Sequence, residues 1–344
     1  MSFRKTAPAL LASIGLIGTA AYSATISSTG TAASSHAGSA TVPAIVPKAT
    51  LFAPADLNQS GRITLSPTFT PDGNTIYFAQ ADCERIWNCP QLLMSSSRTK
   101  EGWSKPKLVD LPQQARVDWP SVSPDGQTLY FSWAPTRARH EGQSVYEDFD
   151  LFRLDLTDAD AVPEAIDQPD INRIRGGAIR KTRFVNNETA PVVTQNGDLY
   201  FWSERLDGAG LRDIYVAKAD GSGGFERPEL LPAPINDDGE NDGSWVSPGG
   251  RLMLLTTSKR GSTGPANLSV SILKDGEWSK PQVLGSAVNS QYSDFAGRIT
   301  PDGTTLVFTS DRPVGDDAPG LLRVWQVPVA AIPELVEALG AVQS

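Results

Sequence analysis

Short apolar segments recur in the same order five times between residues 66 and 310. In each copy a first segment enters a turn, and a second segment, apolar at nearly every position, leaves it. The first segments are SPTFT, WPSVS, APVVT, GSWVS and AGRIT, and the second are TIYFAQ, TLYFSW, DLYFWS, LMLLTT and TLVFTS. A near-continuous apolar run of this length indicates a strand that is covered on both faces. We therefore predict five hairpins, each with a buried second strand.

A tight turn joins the two strands of each hairpin. Pro-Asp-Gly begins at residues 71, 124 and 301, and the weaker copies Gln-Asn-Gly and Pro-Gly-Gly begin at 195 and 248. Asp-Gly and Asn-Gly suit a tight reversal because these residues adopt positive φ at low cost. Three of the four intervals are 53 residues long and the remaining one is 71. This period indicates a repeated structural unit.

Two more strands follow in each unit. QLLMSSS, DLFRLDL, DIYVAKA, NLSVSIL and LLRVWQV alternate between apolar and polar residues, and EGWSKPKLV, GFERPELL and GEWSKPQVL carry a proline that suits a sheet edge. A four-stranded sheet cannot bury both faces alone, so the units must pack around an axis. We predict an all-β protein, a five-bladed β-propeller of four-stranded antiparallel blades. A six-bladed ring is the alternative, but the longer interval has too few additional residues for four strands.

The ends of the repeat region predict how the ring closes. The last unit has a third strand near 321–327 and no fourth, whereas residues 48–55 have the register of a fourth strand that leads into a first. We predict that this N-terminal strand completes the last blade. The propeller then spans 48–330, and the apolar spacing of IPELVEALGAV predicts a short helix and tail at 331–344.

The first residues predict export. Two basic residues precede the apolar run APALLASIGLIGTAAYSA, which indicates a signal peptide over 1–24, with an uncleaved membrane anchor as the alternative. Residues 25–47 are rich in Ser, Thr, Ala and Gly and are typical of a flexible linker. No later apolar run is long enough to cross a membrane. We therefore expect a periplasmic or secreted protein.

The chain has two cysteines, Cys83 and Cys89, with five residues between them. In an exported protein this spacing predicts a disulfide that closes a surface loop, and a free buried pair is the alternative. Only two histidines occur in the whole chain, so a zinc site is not expected.

The repeat sequences resemble a known family. VSPDGQTLYFS, ITPDGTTLVFTSDR, VTQNGDLYFWSER and VSPGGRLMLLTTSKR are similar to the repeats of the TolB-like (WD40-like, Pro-Asp-Gly repeat) β-propellers. The resemblance covers roughly residues 48–330 and implies the propeller architecture, while it implies much less about activity. The chain differs from TolB itself, because nothing before residue 48 predicts an α/β domain and five blades are predicted instead of six.

Four carboxylates precede the turns by six or seven residues: Asp118, Glu188, Asp242 and Asp294, with Asn241 beside the third. The first strands of a propeller line its channel, so we expect these residues near one channel mouth, where they would form a ligand-binding site. Such a group would hold Ca²⁺ or a cationic or hydroxyl-rich ligand, or would act as an acid and base pair. The alternative is that each carboxylate binds nearby backbone amides and joins one blade to the next.

The segment NDDGEND is rich in oxygen ligands. Asp237, Asp238 and Glu240 suggest a calcium loop, although the segment lacks the full spacing of a known calcium motif. A solvated acidic loop is the favoured interpretation, so we expect no metal and no cofactor apart from this weak calcium candidate.

Acidic and basic neighbours end two of the second strands. We expect Glu204 to pair with Arg205 and Asp311 with Arg312, bracing the following loop as exposed pairs worth on the order of 0 to 1 kcal/mol each.

Charge and missing motifs narrow the function. A net charge of −9 argues against a nucleic-acid partner, and no G-x-S-x-G nucleophile sequence is present. We predict a monomeric binding or scaffolding module for a cell-envelope protein or glycan. The alternative is a carbohydrate-active enzyme that uses Asp118, Glu188 and Asp242 as channel carboxylates.

Overall fold

The computed structural model describes residues 48–53, 56–59, 61–83, 90–112, 116–135, 149–173, 187–205, 207–258, 263–315 and 320–343. The strands, in chain order, are β1 (Thr50–Leu51), β2 (Ile63–Phe69), β3 (Thr75–Ala81), β4 (Leu92–Thr99), β5 (Gly102–Trp103), β6 (Lys107–Leu108), β7 (Arg116–Val122), β8 (Thr128–Ala134), β9 (Asp150–Asp155), β10 (Glu164–Ala165), β11 (Glu188–Val193), β12 (Leu199–Ser203), β13 (Asp213–Ala217), β14 (Glu229–Leu230), β15 (Asn241–Val246), β16 (Leu252–Thr257), β17 (Asn267–Lys274), β18 (Glu277–Trp278), β19 (Gln282–Val283), β20 (Asp294–Ile299), β21 (Thr305–Ser310) and β22 (Arg323–Pro328). A 3₁₀ turn at Val329–Ala331 leads into the single described α-helix, α1 (Pro333–Gln343).

The strands form five antiparallel blades. Blade 1 contains β2 to β6, blade 2 contains β7 to β10, blade 3 contains β11 to β14, blade 4 contains β15 to β19, and blade 5 contains β20 to β22 together with β1. The innermost strands β2, β7, β11, β15 and β20 contact one another in that order, and β20 contacts β2. The described residues therefore form a closed five-bladed β-propeller, as the repeats predicted, without a sixth blade.

The turn between the first and second strands is held by its own side chains. In blade 2 the Ser123 hydroxyl donates to Asp125 Oδ1 at 2.5 Å, and Ser123 Oγ accepts from Thr128 N at 2.9 Å. Gly126 follows with a φ of +78°, which a residue without Cβ adopts most easily. Thr70 with Asp72 and Thr300 with Asp302 repeat the bond. The Ser or Thr, the Asp and the Gly of this repeated sequence thus each help to form the turn.

Large apolar side chains of the second strands form the core between blades. Phe78, Phe131, Phe201 and Phe308 occupy the same position in four blades, and Leu255 occupies it in the fifth. All five are at most 1% exposed. Burying one such side chain contributes roughly 1.5–3 kcal/mol, so this ring of residues is a major source of the propeller's stability.

The N-terminal strand closes the ring as predicted. β1 pairs with β22, so that Thr50 lies opposite Gln326 and Leu51 opposite Trp325. The backbone N–H of Phe52 continues the ladder to the carbonyl of Val324 at 3.0 Å. Blade 5 is therefore built from both ends of the described chain.

Proline divides the outermost strand of two blades. In blade 1 β5 and β6 both pair with β4, and in blade 4 β18 and β19 both pair with β17. Pro106 and Pro281 lie between the two pieces. Proline has no N–H to donate to the ladder, so the sequence Ser-Lys-Pro separates each predicted fourth strand into two short ones.

Helix α1 packs outside the propeller, against β17 of blade 4. Leu335 and Ala338 are buried in this contact, whereas Val336 of the same helix is 47% exposed. Within the described ranges, no helix has the length and apolar content that a membrane crossing requires.

The predicted disulfide lies at the edge of the described region. Cys83 is half-buried and packs against the apolar residues of β2 and β3. Cys89 lies outside the described residues. The bond between the two cysteines therefore stays a prediction, as do the signal peptide and the linker, which also lie outside.

Candidate functional site

The four predicted carboxylates all lie near the start of an innermost strand. Glu188 and Asp294 are the first residues of β11 and β20, Asp242 is the second residue of β15, and Asp118 is the third residue of β7. Each inner strand runs from this end towards its turn, so the four residues lie on the face opposite the turns. We call this the loop face, because it carries the connections from second to third strands and from each blade to the next.

A β-bulge interrupts every inner strand close to these positions. In four strands a non-glycine residue of the bulge has a φ between 50° and 55°: Ser66, Trp119, Ala190 and Ala296. Backbone in this region costs roughly 1–3 kcal/mol and persists only where the surroundings hold it. The bulges therefore require partners, and these come from the neighbouring blade.

Hydroxyl groups of the preceding blade bind two of the bulges. The backbone N–H of Ser66 donates to Thr309 Oγ1 at 3.0 Å, and that of Ala190 donates to Ser132 Oγ at 3.1 Å. Thr309 and Ser132 occupy the same position in the second strands of blades 5 and 2. The repeat thus connects each bulge with the blade before it.

Asp118 takes over this role in blade 2. The matching position of blade 1 is Ala79, which has no hydroxyl. The N–H of Trp119 instead donates to Asp118 Oδ1 at 2.7 Å, and the Ser66 hydroxyl donates to the same oxygen at 2.9 Å. Burial raises the pKa of Asp118 to about 6, although these hydrogen bonds lower it.

Glu188 forms a buried ion pair within blade 3. Its Oε1 accepts from Arg205 Nη2 at 3.2 Å and from the Ser203 hydroxyl at 3.1 Å. The side chains of Glu188 and Arg205 are 0% and 1% exposed. The guanidinium also lies over the rings of Tyr215 and Phe201, at 4.7 and 5.4 Å from their centroids. Glu188 is therefore enclosed by its own blade.

Asp294 repeats this arrangement in blade 5. Its Oδ1 forms an ion pair with Arg312, and its Oδ2 accepts from the N–H and hydroxyl of Ser290 at 2.6 and 2.8 Å. Arg312 lies over Phe308 and Trp325, at 5.2 Å from each ring centroid. An acid that begins the inner strand and an arginine just after the second strand are thus a recurring pair.

Arg205 and Arg312 do not pair with the acidic residues that directly precede them, contrary to what the sequence predicted. Arg205 binds Glu188 instead of Glu204, because the antiparallel pairing of β11 with β12 brings the first residue of one strand to the end of the other. For the same reason Arg312 binds Asp294, while Asp311 accepts from the backbone N–H of Ser293 at 2.7 Å. These are interior contacts rather than exposed braces.

Asp242 belongs to an acidic cluster at the boundary of blades 3 and 4. Its Oδ2 lies 3.2 Å from Arg212 Nη1, and the same guanidinium pairs with Glu204 at 2.9 Å and with Glu240 at 3.8 Å. Three carboxylates therefore share one cation. Burial raises the pKa of Asp242 to about 6, and Glu240 and Glu204 add to the rise while Arg212 opposes it. Its Oδ1 is buried and has no hydrogen-bond partner within the described ranges.

The remaining predicted ligands border this cluster. Asn241 is buried and donates through Nδ2 to the carbonyls of Arg212 and Asp237, at 3.4 and 3.3 Å. Asp237 accepts from the backbone N–H of Gly239, and Glu240 pairs with Arg212. No set of three metal-binding side chains suited to one ion occurs in the part of the chain that the structure describes. Arg212 supplies positive charge to this cluster.

The arrangement uses the carboxylates mainly to hold blades and strands together. Glu188 and Asp294 are fully buried, Asp118 is 9% exposed, and the Asp242 side chain is 16% exposed. A carboxylate acting on a substrate has to reach it. Of the four, Asp242 is therefore the residue best placed to meet a ligand on the loop face.

Four asparagines that hold the outer strands, three of them buried and one half-buried, were not predicted from the sequence. In blade 4 Asn289 Oδ1 accepts from Leu268 N at 2.8 Å, and its Nδ2 donates to the carbonyls of Leu268 and Leu284 at 2.8 and 2.6 Å. Asn58, Asn172 and Asn236 make the equivalent three bonds. Each follows a buried Leu, Ile or Val. The recurring pair of an aliphatic residue and Asn was the feature of the sequence that could have predicted these asparagines.

Comparison with known proteins identifies the fold. No protein-family model and no curated protein matches the chain. Solved structures do match it. TolB from Acinetobacter baumannii is 17% identical with a TM-score of 0.44, and the match covers 77% of this chain and 54% of TolB. Zg3597, a family 117 glycoside hydrolase from Zobellia galactanivorans, is 15% identical with a TM-score of 0.50, covering 82% and 89%.

The likeness to the family 117 glycoside hydrolase shows the fold alone. An α-L-arabinofuranosidase from Lactobacillus brevis also matches, at 15% identity and a TM-score of 0.44, covering 79% of this chain and 92% of the enzyme. The predicted five-bladed architecture is confirmed by the five antiparallel sheets themselves. At these identities a shared fold carries no assignment of activity.

Proposed function

We propose that this chain is an exported binding or scaffolding propeller that holds a protein or glycan of the cell envelope on its loop face. Export is supported by the sequence of residues 1–24. A binding role is favoured over catalysis by one observation, the use of the inner-strand carboxylates as internal partners. Glu188 and Asp294 are each enclosed with an arginine of their own blade, so neither faces a ligand.

The acidic cluster around Arg212 supports a position for the partner. Glu204, Glu240 and Asp242 outnumber the single guanidinium that they share, so the boundary of blades 3 and 4 carries excess negative charge. Asp207 lies nearby in sequence with a side chain that is 64% exposed, and it is paired with Arg173. Charge of one sign on a rim attracts a partner of the opposite sign and sets its orientation. The partner should therefore present cationic or hydroxyl groups.

The proposal is tested by capture from a cell-envelope extract of the source organism. The immobilised mature protein should retain a defined protein or glycan, and the variant Asp207→Lys with Glu240→Lys should lose it. Both side chains are exposed, and each surface ion pair that the variant loses is worth about 0–1 kcal/mol, so we expect the fold to be kept.

A matched control places the same charge change on the turn face. Glu101 of blade 1 and Asp160 of blade 2 are both exposed, and both lie on the turn face, opposite the loop face. Glu101→Lys with Asp160→Lys should keep the partner. Retention by both double variants, or the absence of any defined partner, would contradict a loop-face binding role.

A carbohydrate-active enzyme is the second candidate, and one observation favours it. Burial raises the pKa of both Asp118 and Asp242 to about 6, which suits a carboxylic acid that donates a proton near neutral pH. Hydrolysis of a panel of aryl glycosides and envelope glycans would reveal such an activity. Asp242→Asn should then reduce kcat at least 100-fold, whereas unchanged turnover in Glu188→Gln would remove that residue from the mechanism.

A further inference from the structure

Arg298 reaches across the centre of the propeller. It lies on β20 of blade 5, and its Nη1 donates to Ser121 Oγ at 3.2 Å while its Nη2 donates to the carbonyl of Pro120 at 3.3 Å. Ser121 and Pro120 belong to β7 of blade 2. Blade 5 borders blades 4 and 1, so these bonds cross the channel instead of joining neighbours.

The guanidinium is buried with neutral partners only. Arg298 is 8% exposed, and within the described ranges no carboxylate pairs with it. The matching positions of the other inner strands hold Thr68, Ser121, Val192 and Trp245, all uncharged. A buried charge without a counter-charge costs several kcal/mol, which is why buried arginines are normally paired with acids. Arg205, which is also buried, shows this contrast, since it is paired with Glu188.

Arg298 also has N–H donors that the described residues do not bind. A guanidinium carries five N–H donors, and two of them are bound by described residues. Burial lowers the pKa of Arg298 to about 9 with no opposing charge. The side chain is still cationic at neutral pH, so an incoming anion would meet both a charge and free N–H groups.

The channel above Arg298 is narrow. Trp119 of blade 2 and Phe295 of blade 5 meet across it, with ring centroids 6.3 Å apart. Trp119 is 8% exposed. The aromatic pair lies nearer the loop face than Arg298, because both residues come earlier in their strands. A bulky ligand would be excluded from this side, whereas a single small ion would not.

We propose that Arg298 is the centre of an anion site in the propeller channel that takes a small monovalent anion such as chloride or formate. The ion supplies the counter-charge that the chain lacks around Arg298 and accepts from its remaining N–H groups. Hydrogen bonds between a guanidinium and an anion are about twice as strong as neutral ones. The site joins blades 5 and 2 through the ion, so its occupation stabilises the closed ring.

The test measures the melting temperature of the mature protein during titration with sodium formate. Sodium gluconate, whose anion is too large for a buried guanidinium, keeps the ionic strength constant. The wild type should show a saturable rise in Tm, roughly 3–8 °C at about 100 times the dissociation constant. Arg298→Met should lose the rise, and Arg251→Met, which removes an exposed arginine of the same charge, should keep it. A wild type without a saturable rise, or an equal rise in Arg298→Met, overturns the proposal.

A second measurement needs no variant and decides the matter if Arg298→Met does not fold. The ³⁵Cl resonance of chloride broadens when the ion exchanges with a protein site. The wild-type protein should broaden this line, and formate at a concentration that saturates the Tm response should remove most of the broadening. Broadening that formate does not displace, or no broadening above that of free chloride, contradicts a shared site at Arg298.

Discussion

Asn58 and Val324 are joined by two hydrogen bonds across the closure of the ring. Asn58 Nδ2 donates to the Val324 carbonyl at 3.0 Å, and the Val324 N–H donates to Asn58 Oδ1 at 2.9 Å. A third bond connects Asn58 Nδ2 with the carbonyl of Phe52 at 2.5 Å. One amide side chain thereby satisfies the backbone of both chain ends, next to the short pairing of β1 with β22.

Asn58→Ala should destabilise the propeller by about 2–4 kcal/mol, because it removes the amide that binds the Val324 N–H and the Phe52 carbonyl. Chemical denaturation measures the loss. Gln59→Ala, a neighbouring substitution at a partly exposed position, should cost less than about 0.5 kcal/mol. Equal stabilities of the two variants would show that the amide does not hold the closure.

Truncation tests the same closure at the level of the strand. Deletion through residue 56 removes β1 and should lower Tm far more than deletion through residue 46, since only the former leaves β22 as an open sheet edge. Equal melting of the two truncated proteins, each compared with the mature protein, would mean that the ring closes some other way.

Glu188→Gln should cost about 3–5 kcal/mol, because it leaves Arg205 charged in a fully buried position. Arg205→Met added to this variant removes the unpaired charge, so the double variant should be more stable than the single one. Denaturant titration gives both values.

The matched control for this pair is Glu164→Gln. Glu164 pairs with Arg153 on the surface, where the two side chains are 65% and 40% exposed. This change should cost at most about 1 kcal/mol. Comparable losses in Glu188→Gln and Glu164→Gln would contradict the burial argument.

The stability of the protein should fall as pH rises from about 4 to about 6. Burial raises the pKa of Asp118 from 3.8 to about 6, so in this window the folded protein keeps a proton that the unfolded chain has lost. The penalty is complete above pH 6 and reaches at most roughly 3 kcal/mol for this one group.

Asp118→Asn should remove this contribution, since an amide oxygen still accepts from Trp119 and Ser66. The free energy of unfolding, measured by denaturation between pH 4 and pH 7, should therefore vary less in the variant than in the wild type. A difference between the two proteins that stays constant across this range would contradict the raised pKa.

Patterns along the chain were sufficient to predict the architecture. The 53-residue spacing, the turn residues and the apolar second strands are local features, and a four-stranded sheet with two apolar faces has few ways to bury them except in a ring. The last unit has no fourth strand, and residues 48–55 have the register of one. These two features predicted the closure, because residues 48–55 are the segment left to complete the last blade.

Partners of buried polar groups were decided only by the tertiary structure. The sequence places Arg205 beside Glu204, yet strand pairing brings Arg205 to Glu188, 17 residues away. Arg298 meets blade 2 through contacts 177 and 178 residues away, because the ring places opposite inner strands face to face. A carboxylate binds a ligand or holds the fold together according to which groups lie within about 3 Å of it. Packing brings these groups together, so the pattern of residues along the chain does not predict them.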